Sequence, residues 1–174
     1  NLDLMLRPEE RKWLAERVPE IRRNKPLFLA DFWNDGTFTG GCIAGGRRYF
    51  HINSTGDVEP CAFAHFATDN IKDKSLKEVL QNPLFKSYQK RQPFNENSMV
   101  PCPIIDNPEA LREIVEESGA KPTHPGAEEV LKGNTAEFLD EVSAKWEKIS
   151  WPIHKKRTSD FEEAGEEKGA EDEN

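Results

Sequence analysis

The sequence predicts an α+β fold, on three observations. A helix followed by a short apolar run opens the chain, a glycine-centred hairpin pattern occupies its middle, and capped helix starts recur in its second half. Residues 8–23 read as the first helix. Pro8 suits a first helical turn, Glu9 and Glu10 complement the positive helix end, and Arg22 and Arg23 the negative end. Trp13, Leu14 and Val18 form its apolar stripe, and Pro19 is expected to kink or split it. The run 26–33, PLFLADFW, is expected as a buried strand ending in the turn Asn34-Asp35-Gly36. Helix and strand together read as the remnant of an α/β unit.

The hairpin comes next. Segments 48–53 and 57–63 flank Ser54-Thr55-Gly56, a three-residue loop in which glycine supplies the positive φ. That loop pairs Asn53 with Asp57, Ile52 with Val58, His51 with Glu59 and Tyr49 with Cys61. Phe50, Ile52 and Val58 then share one face, and Tyr49, His51, Glu59 and Cys61 the other. Ser75-Leu-Lys-Glu78 is a capping box that opens a short helix. Asn82-Pro83 starts a helix over 83–91, and Asn107-Pro108 starts another that Gly119 closes. Proline and glycine make 120–133 a linker, and a last helix over 134–153 carries Phe138, Leu139, Val142 and Trp146.

The 174 residues are 36% hydrophobic and 32% charged, which suits one domain with poorly packed appendages. No apolar run is long enough to span a membrane, and no signal peptide opens the chain, so the expected location is the cytoplasm. The first residue is Asn1, not Met, which points to a piece of something longer. A net charge of −8 argues against a general nucleic-acid binder. Most of that charge lies at the end, where residues 159–174 hold eight acids against the single base Lys168. Residues 154–174 are therefore expected as a disordered acidic tail.

Three cysteines make no closed disulfide framework, so reduced thiols are expected, serving either metal binding or burial. Cys42 and Cys61 enclose thirteen residues, Gly56, then four more, and Cys102 lies 41 residues further on between two prolines. A metal or cluster needs thiolates gathered on one rigid frame. The hairpin offers that frame, and Gly40, Gly41, Gly45 and Gly46 let the chain bend closely around Cys42. Spacing alone leaves metal binding and simple burial level, and the lack of a Cys-x-x-Cys pair weakens a zinc ribbon.

Three stretches in order, GGCIAGGRRYFHINSTGDVEPCAFAHF, NIKDKSLKEVLQNPLFKSYQKRQPF and PCPIIDNPEALREIV, resemble the C-terminal region of radical S-adenosylmethionine enzymes. The resemblance is to their SPASM, or shortened twitch, extension and covers roughly residues 26–118. It implies that Cys42, Cys61 and Cys102 bind one auxiliary 4Fe–4S cluster, with Gly56 turning the hairpin between the first two. Residues 1–37 would end the catalytic partial barrel, and 38–119 would form the cluster domain. The family's Cys-x-x-x-Cys-x-x-Cys motif is absent, so this chain alone is not expected to be active. S-adenosylmethionine, a second 4Fe–4S cluster, the N-terminal barrel, a reducing electron donor and a substrate would belong to the full-length enzyme. Three thiolates leave one iron without a cysteine.

His65, four residues past Cys61, is a candidate fourth ligand, with His51 and His124 behind it. Asp31, Asn34 and Asp35 close the expected strand, where barrel enzymes face their substrates, and are candidates for cofactor contact. Ordinary turn chemistry accounts for them equally. Arg47 and Arg48 could meet an anion or form a solvated strand end, while Trp146 and Trp151 read as core or docking residues. Two other functions remain: a zinc module using the same cysteines plus a histidine, and a helical interaction domain with incidental thiols.

Overall fold

The computed structural model describes residues 2–172, with side chains over 2–161. A 3-10 turn at Leu2–Leu4 precedes α1 (Pro8–Asn24), α2 (Gly36–Thr39), β1 (His51–Ile52), β2 (Val58–Glu59) and β3 (Phe66–Ala67). Then come α3 (Leu76–Val79), α4 (Pro83–Arg91), α5 (Pro108–Ser118), β4 (Lys121–Pro122), a 3-10 turn at Ala127–Val130 and α6 (Asn134–Asp172). Helices with two small antiparallel sheets, β1-β2 and β3-β4, make the fold α+β.

The local signals act as their chemistry requires. Ser75 and Glu78 bond reciprocally at the start of α3, with Ser75 N donating to Glu78 Oε2 at 2.9 Å and Glu78 N to Ser75 Oγ at 3.4 Å. Asn82 Oδ1 accepts from Phe85 N at 2.7 Å, which caps α4. Asn107 departs from the pattern. Its amide makes no cap to α5 and instead donates to Val100 O at 2.8 Å and Cys102 O at 3.3 Å. Gly119 closes α5 at φ 65°.

The hairpin pairs His51 with Glu59 and Ile52 with Val58, the register of a three-residue loop. Its paired strands are only two residues each, shorter than 48–53 and 57–63. Gly56 sits at φ 93°, and a Cβ there would stand 2.6 Å from Asn70 Oδ1. That amide is fixed, because its Nδ2 donates to Thr55 O and Asp57 Oδ1. Gly56→Ala is expected to cost about 1 kcal/mol or more. Urea unfolding measures it, and an unchanged midpoint would mean that the loop can re-form around a Cβ.

Helix α1 runs unbroken through Pro19. Proline removes the N–H that would bond the carbonyl four residues back, here Ala15. Arg157 replaces it, with Nη2 donating to Ala15 O at 2.6 Å and Nη1 to Asn34 O. The expected split is thus avoided by a donor from α6.

Three further expectations are corrected. Residues 26–33 form no strand: the segment turns at Asp31, whose carbonyl accepts from Asn34 N and Asp35 N, and Phe28 is 95% exposed. A strand requires a neighbouring strand for its backbone groups, and this apolar run has none paired to it among the described residues. Residues 120–133 are not a bare linker, because β4 pairs with β3, Phe66 opposite Pro122, and a 3-10 turn follows. The last helix does not stop at 153. His154, Arg157, Thr158 and Phe161 are helical and face the domain, with the Phe161 ring 6.2 Å from Phe38. The rest of the expected tail, 162–174, lies outside the described side chains.

Two apolar clusters organise the molecule. Val58, Phe66, Val79, Leu84, Phe85 and Tyr88 belong to the larger, between the sheets and α4-α5, and Cys42 and Cys61 pack against it. Ala15, Met99, Val100 and Trp146 form the smaller, where α1 meets α6.

Candidate metal centre

Cys42, Cys61 and Cys102 line one cavity of about 740 Å³. Each arrives on a different device. Cys42 follows the left-handed turn after α2, Cys61 follows β2, and Cys102 opens the loop into α5. None is disulfide-bonded, and all three are half-buried. Two of the sulfurs share a local geometry. Ala44 N donates to Cys42 Sγ at 3.5 Å and Ile104 N to Cys102 Sγ at 3.4 Å, whereas at Cys61 the carbonyl accepts from Ala64 N at 3.2 Å. At Cys42 and Cys102 the amide two residues on points back at the sulfur. Such N–H groups stabilise a thiolate, and hydrogen bonds to sulfur tune a cluster's potential.

The two loops are held tightly. Gln92 Nε2 donates to Cys42 O at 3.0 Å and Ala44 O at 3.1 Å. Arg47, expected as a solvated strand end, clasps the carbonyls of Thr39 and Gly40 just before Cys42, while Arg48 is exposed. The Cys102 loop is pinned by Asp106, which accepts from Cys102 N at 3.0 Å through Oδ2. Asp106 N and Asn107 N both donate to Cys102 O at 3.0 Å. Asp106 is itself paired with Arg11 of α1. Burial pushes the Asp106 carboxyl up, against the opposing pull of Arg11.

The remaining candidates are placed as follows. His65 is not among the residues lining the cavity: its Nδ1 lies 3.5 Å from Glu59 Oε1 and its ring stacks on His124 at 5.3 Å. His51 also faces Glu59, at 3.8 Å. The physical reason is the hairpin pleat, which puts buried Glu59 between them. Asp31 and Asp35 border the cavity, but their oxygens are engaged. Asp31 accepts from Asn34 N, Asn34 Nδ2 and Trp33 N, while Asp35 is bidentate to Arg22 at 2.7 Å. Asn34 Oδ1 accepts from Arg11 Nε at 3.3 Å. Local turn bonds and the arginines Arg11 and Arg22 therefore occupy all three. Trp146 is core, donating to Met99 O at 2.9 Å, and Trp151 stacks on His154.

Residues 42–106 match the SPASM family, an iron–sulfur cluster-binding domain. The match begins on Cys42 and ends on Asp106, so it encloses all three thiols and the carboxylate that pins the last of them. No curated protein and no solved structure matches the chain. The matched segment fits such a group on its donor set, because three thiols open onto one apolar cavity with backbone N–H groups aimed at the sulfurs of Cys42 and Cys102. Sequence reasoning missed Asp106 and Arg11, whose only signal was the proximity of Asp106 to Cys102. Among the described residues no helix is long and apolar enough to cross a membrane.

Burial raises all three thiols: Cys61 to about 11, Cys42 upward, and Cys102 well upward, with the Asp106 charge adding to the effect. The protonated form is thus favoured by the metal-free fold, so metal uptake must release protons. Between the unfolded thiol value of about 8.5 and the folded value, the unfolded chain binds fewer protons, and the stability of the metal-free fold falls as pH rises. Alkylation of Cys61 by iodoacetamide is expected to be slow at pH 7.5 and to climb with pH toward 11. Peptide mass spectrometry follows it, and a plateau near 8.5 in the folded chain would contradict the shift.

Proposed function

We propose that this chain holds one 4Fe–4S cluster on Cys42, Cys61 and Cys102, as the auxiliary-cluster portion of a radical S-adenosylmethionine enzyme. The observation that carries the reading is the shared cavity, which gathers residues 42, 61 and 102 despite their separation in sequence. When bound, such a group supplies electron transfer or an open iron site for substrate. The chain's own residues hold the thiolates, direct backbone N–H groups at those of Cys42 and Cys102 and shield them with the Tyr88–Phe85 core.

A cluster suits the geometry better than a single zinc ion. Zinc draws its sulfurs to about 2.3 Å around one point. Among the described residues no three His, Cys, Asp or Glu side chains are grouped to hold one ion. A cube instead spreads its ligands over separate corners. The cavity rim supports a missing neighbour. Leu27, Phe28, Phe32, Phe38 and Phe63 are exposed around it, and an apolar patch of this kind marks an interaction surface. The N-terminal barrel, with S-adenosylmethionine and its own cluster, is the neighbour this reading supplies, together with an electron donor and a substrate.

Anaerobic purification followed by iron, sulfide and zinc analysis tests the reading. Iron and sulfide in equal amounts, with near-stoichiometric loading, are the expected result. Zinc without sulfide would replace it with the zinc module, and neither metal with the interaction domain.

A further inference from the structure

Tyr88 on α4 is fully buried, and its hydroxyl has no hydrogen-bond partner. It is an unusual place for an unpaired phenol. Leaving a buried donor unsatisfied destabilises the fold, a cost that a phenylalanine at the same position would avoid. The ring is fixed on both sides. It packs edge-on against Phe94 at 5.6 Å and lies directly over Gly45, where a Cβ would stand 2.7 Å from Tyr88 Cβ. Gly45, at φ 66°, belongs to the loop that carries Cys42. Tyr88 is therefore locked against the cysteine loop. Cys42 and Cys61 pack against the same buried cluster that contains Tyr88.

A hydroxyl so placed lacks an acceptor in the protein alone. An anionic sulfur in the adjoining cavity would provide one. Resting on the cluster reading above, we propose that the Tyr88 hydroxyl donates a hydrogen bond to a sulfur of the bound iron–sulfur cluster and thereby sets its reduction potential. The acceptor is a cysteine thiolate or a bridging sulfide, and both belong to the same anionic group. No bond to iron forms, and the proton stays on oxygen. The donor stabilises the more negative, reduced cluster more than the oxidised one, so it favours reduction.

The test uses the 174-residue chain, reconstituted anaerobically with iron and sulfide, as wild type and as Tyr88→Phe. Iron and sulfide content is expected to be equal in the two. The reduction equilibrium of Tyr88→Phe is expected to fall about tenfold, a shift of about 59 mV to more negative potential for a one-electron couple. Without cluster, Tyr88→Phe is expected to melt no lower than wild type, while the cluster raises its melting temperature less. Replacing Tyr88 with 3-fluorotyrosine, a stronger donor of the same shape, is expected to move the potential the other way. A fully loaded Tyr88→Phe with unchanged or more positive potential overturns the inference. So does a folded Tyr88→Phe that has lost its iron, which would make the tyrosine a ligand. Wild type that takes up no iron overturns the cluster reading itself, and that result is read before any variant is compared.

Discussion

Arg11→Ala is expected to lose about 3–5 kcal/mol of stability, a large share of what a domain of this size possesses. Arg11 is 7% exposed and its guanidinium is used on every side. It pairs with both oxygens of Asp106, donates from Nη2 to Trp33 O at 2.9 Å and Met99 O at 3.0 Å, and lies over the Trp146 ring at 4.4 Å. Truncation leaves Asp106 buried without a counter-charge, takes the arginine donor from Trp33 O and leaves Met99 O with Trp146 alone. Lysine is not a substitute, since one ammonium cannot reproduce the planar fork. Chemical denaturation measures the loss. A cost below about 1 kcal/mol would show the pair to be solvated, as surface pairs are. The damage should also spread to Cys102, whose N–H is held by the same carboxylate, so its alkylation in the folded variant should speed up.

The second large effect concerns metal. Cys102→Ala is expected to reduce iron affinity by more than the roughly 10–100-fold that loss of an outer hydrogen-bonding partner costs a metal site. The metal-free fold should hardly notice, because the thiol is half-buried and contributes no disulfide. His65→Ala is the matched control. Its ring is turned to Glu59 and His124, so iron content should stay at the wild-type level. Iron retained in Cys102→Ala and lost in His65→Ala would reverse the ligand assignment. Iron and sulfide analysis of both variants decides the matter.

What the sequence showed and what it hid divide along the range of the interaction. Caps are local, so Asn82-Pro83 located the start of Pro83–Arg91 and Ser75 with Glu78 located the start of α3. The hairpin register also depended on a few adjacent residues around Gly56. The strand expected at 26–33 failed because apolar content alone does not provide a pairing edge. Residues 120–133 looked like a linker because their partner, Phe66, is more than fifty residues away. The helix past 153 was hidden for a similar reason, its anchors being Phe38, Asn34 and Ala15. Convergence of the cysteines was open on spacing alone, and resemblance, not periodicity, chose among the alternatives. Arg11 gave no sign at all, because its carboxylate lies 95 residues along the chain.

The bond between α1 and the Cys102 loop has a consequence for where this protein can be cut. The stretch that matches the SPASM family ends at Asp106, yet the charge that neutralises Asp106 comes from residue 11, and the indole beneath that charge from residue 146. Helix α1 in turn borrows a donor from residue 157 to carry its proline. The matched segment is therefore smaller than the cooperative one. An excised 42–106 would keep every thiol and lose the scaffold that orients one of them. Recombination at those borders would transplant the chemistry without its support, so evolution must exchange the flanking helices along with the cysteines or rebuild the counter-charge from the new host.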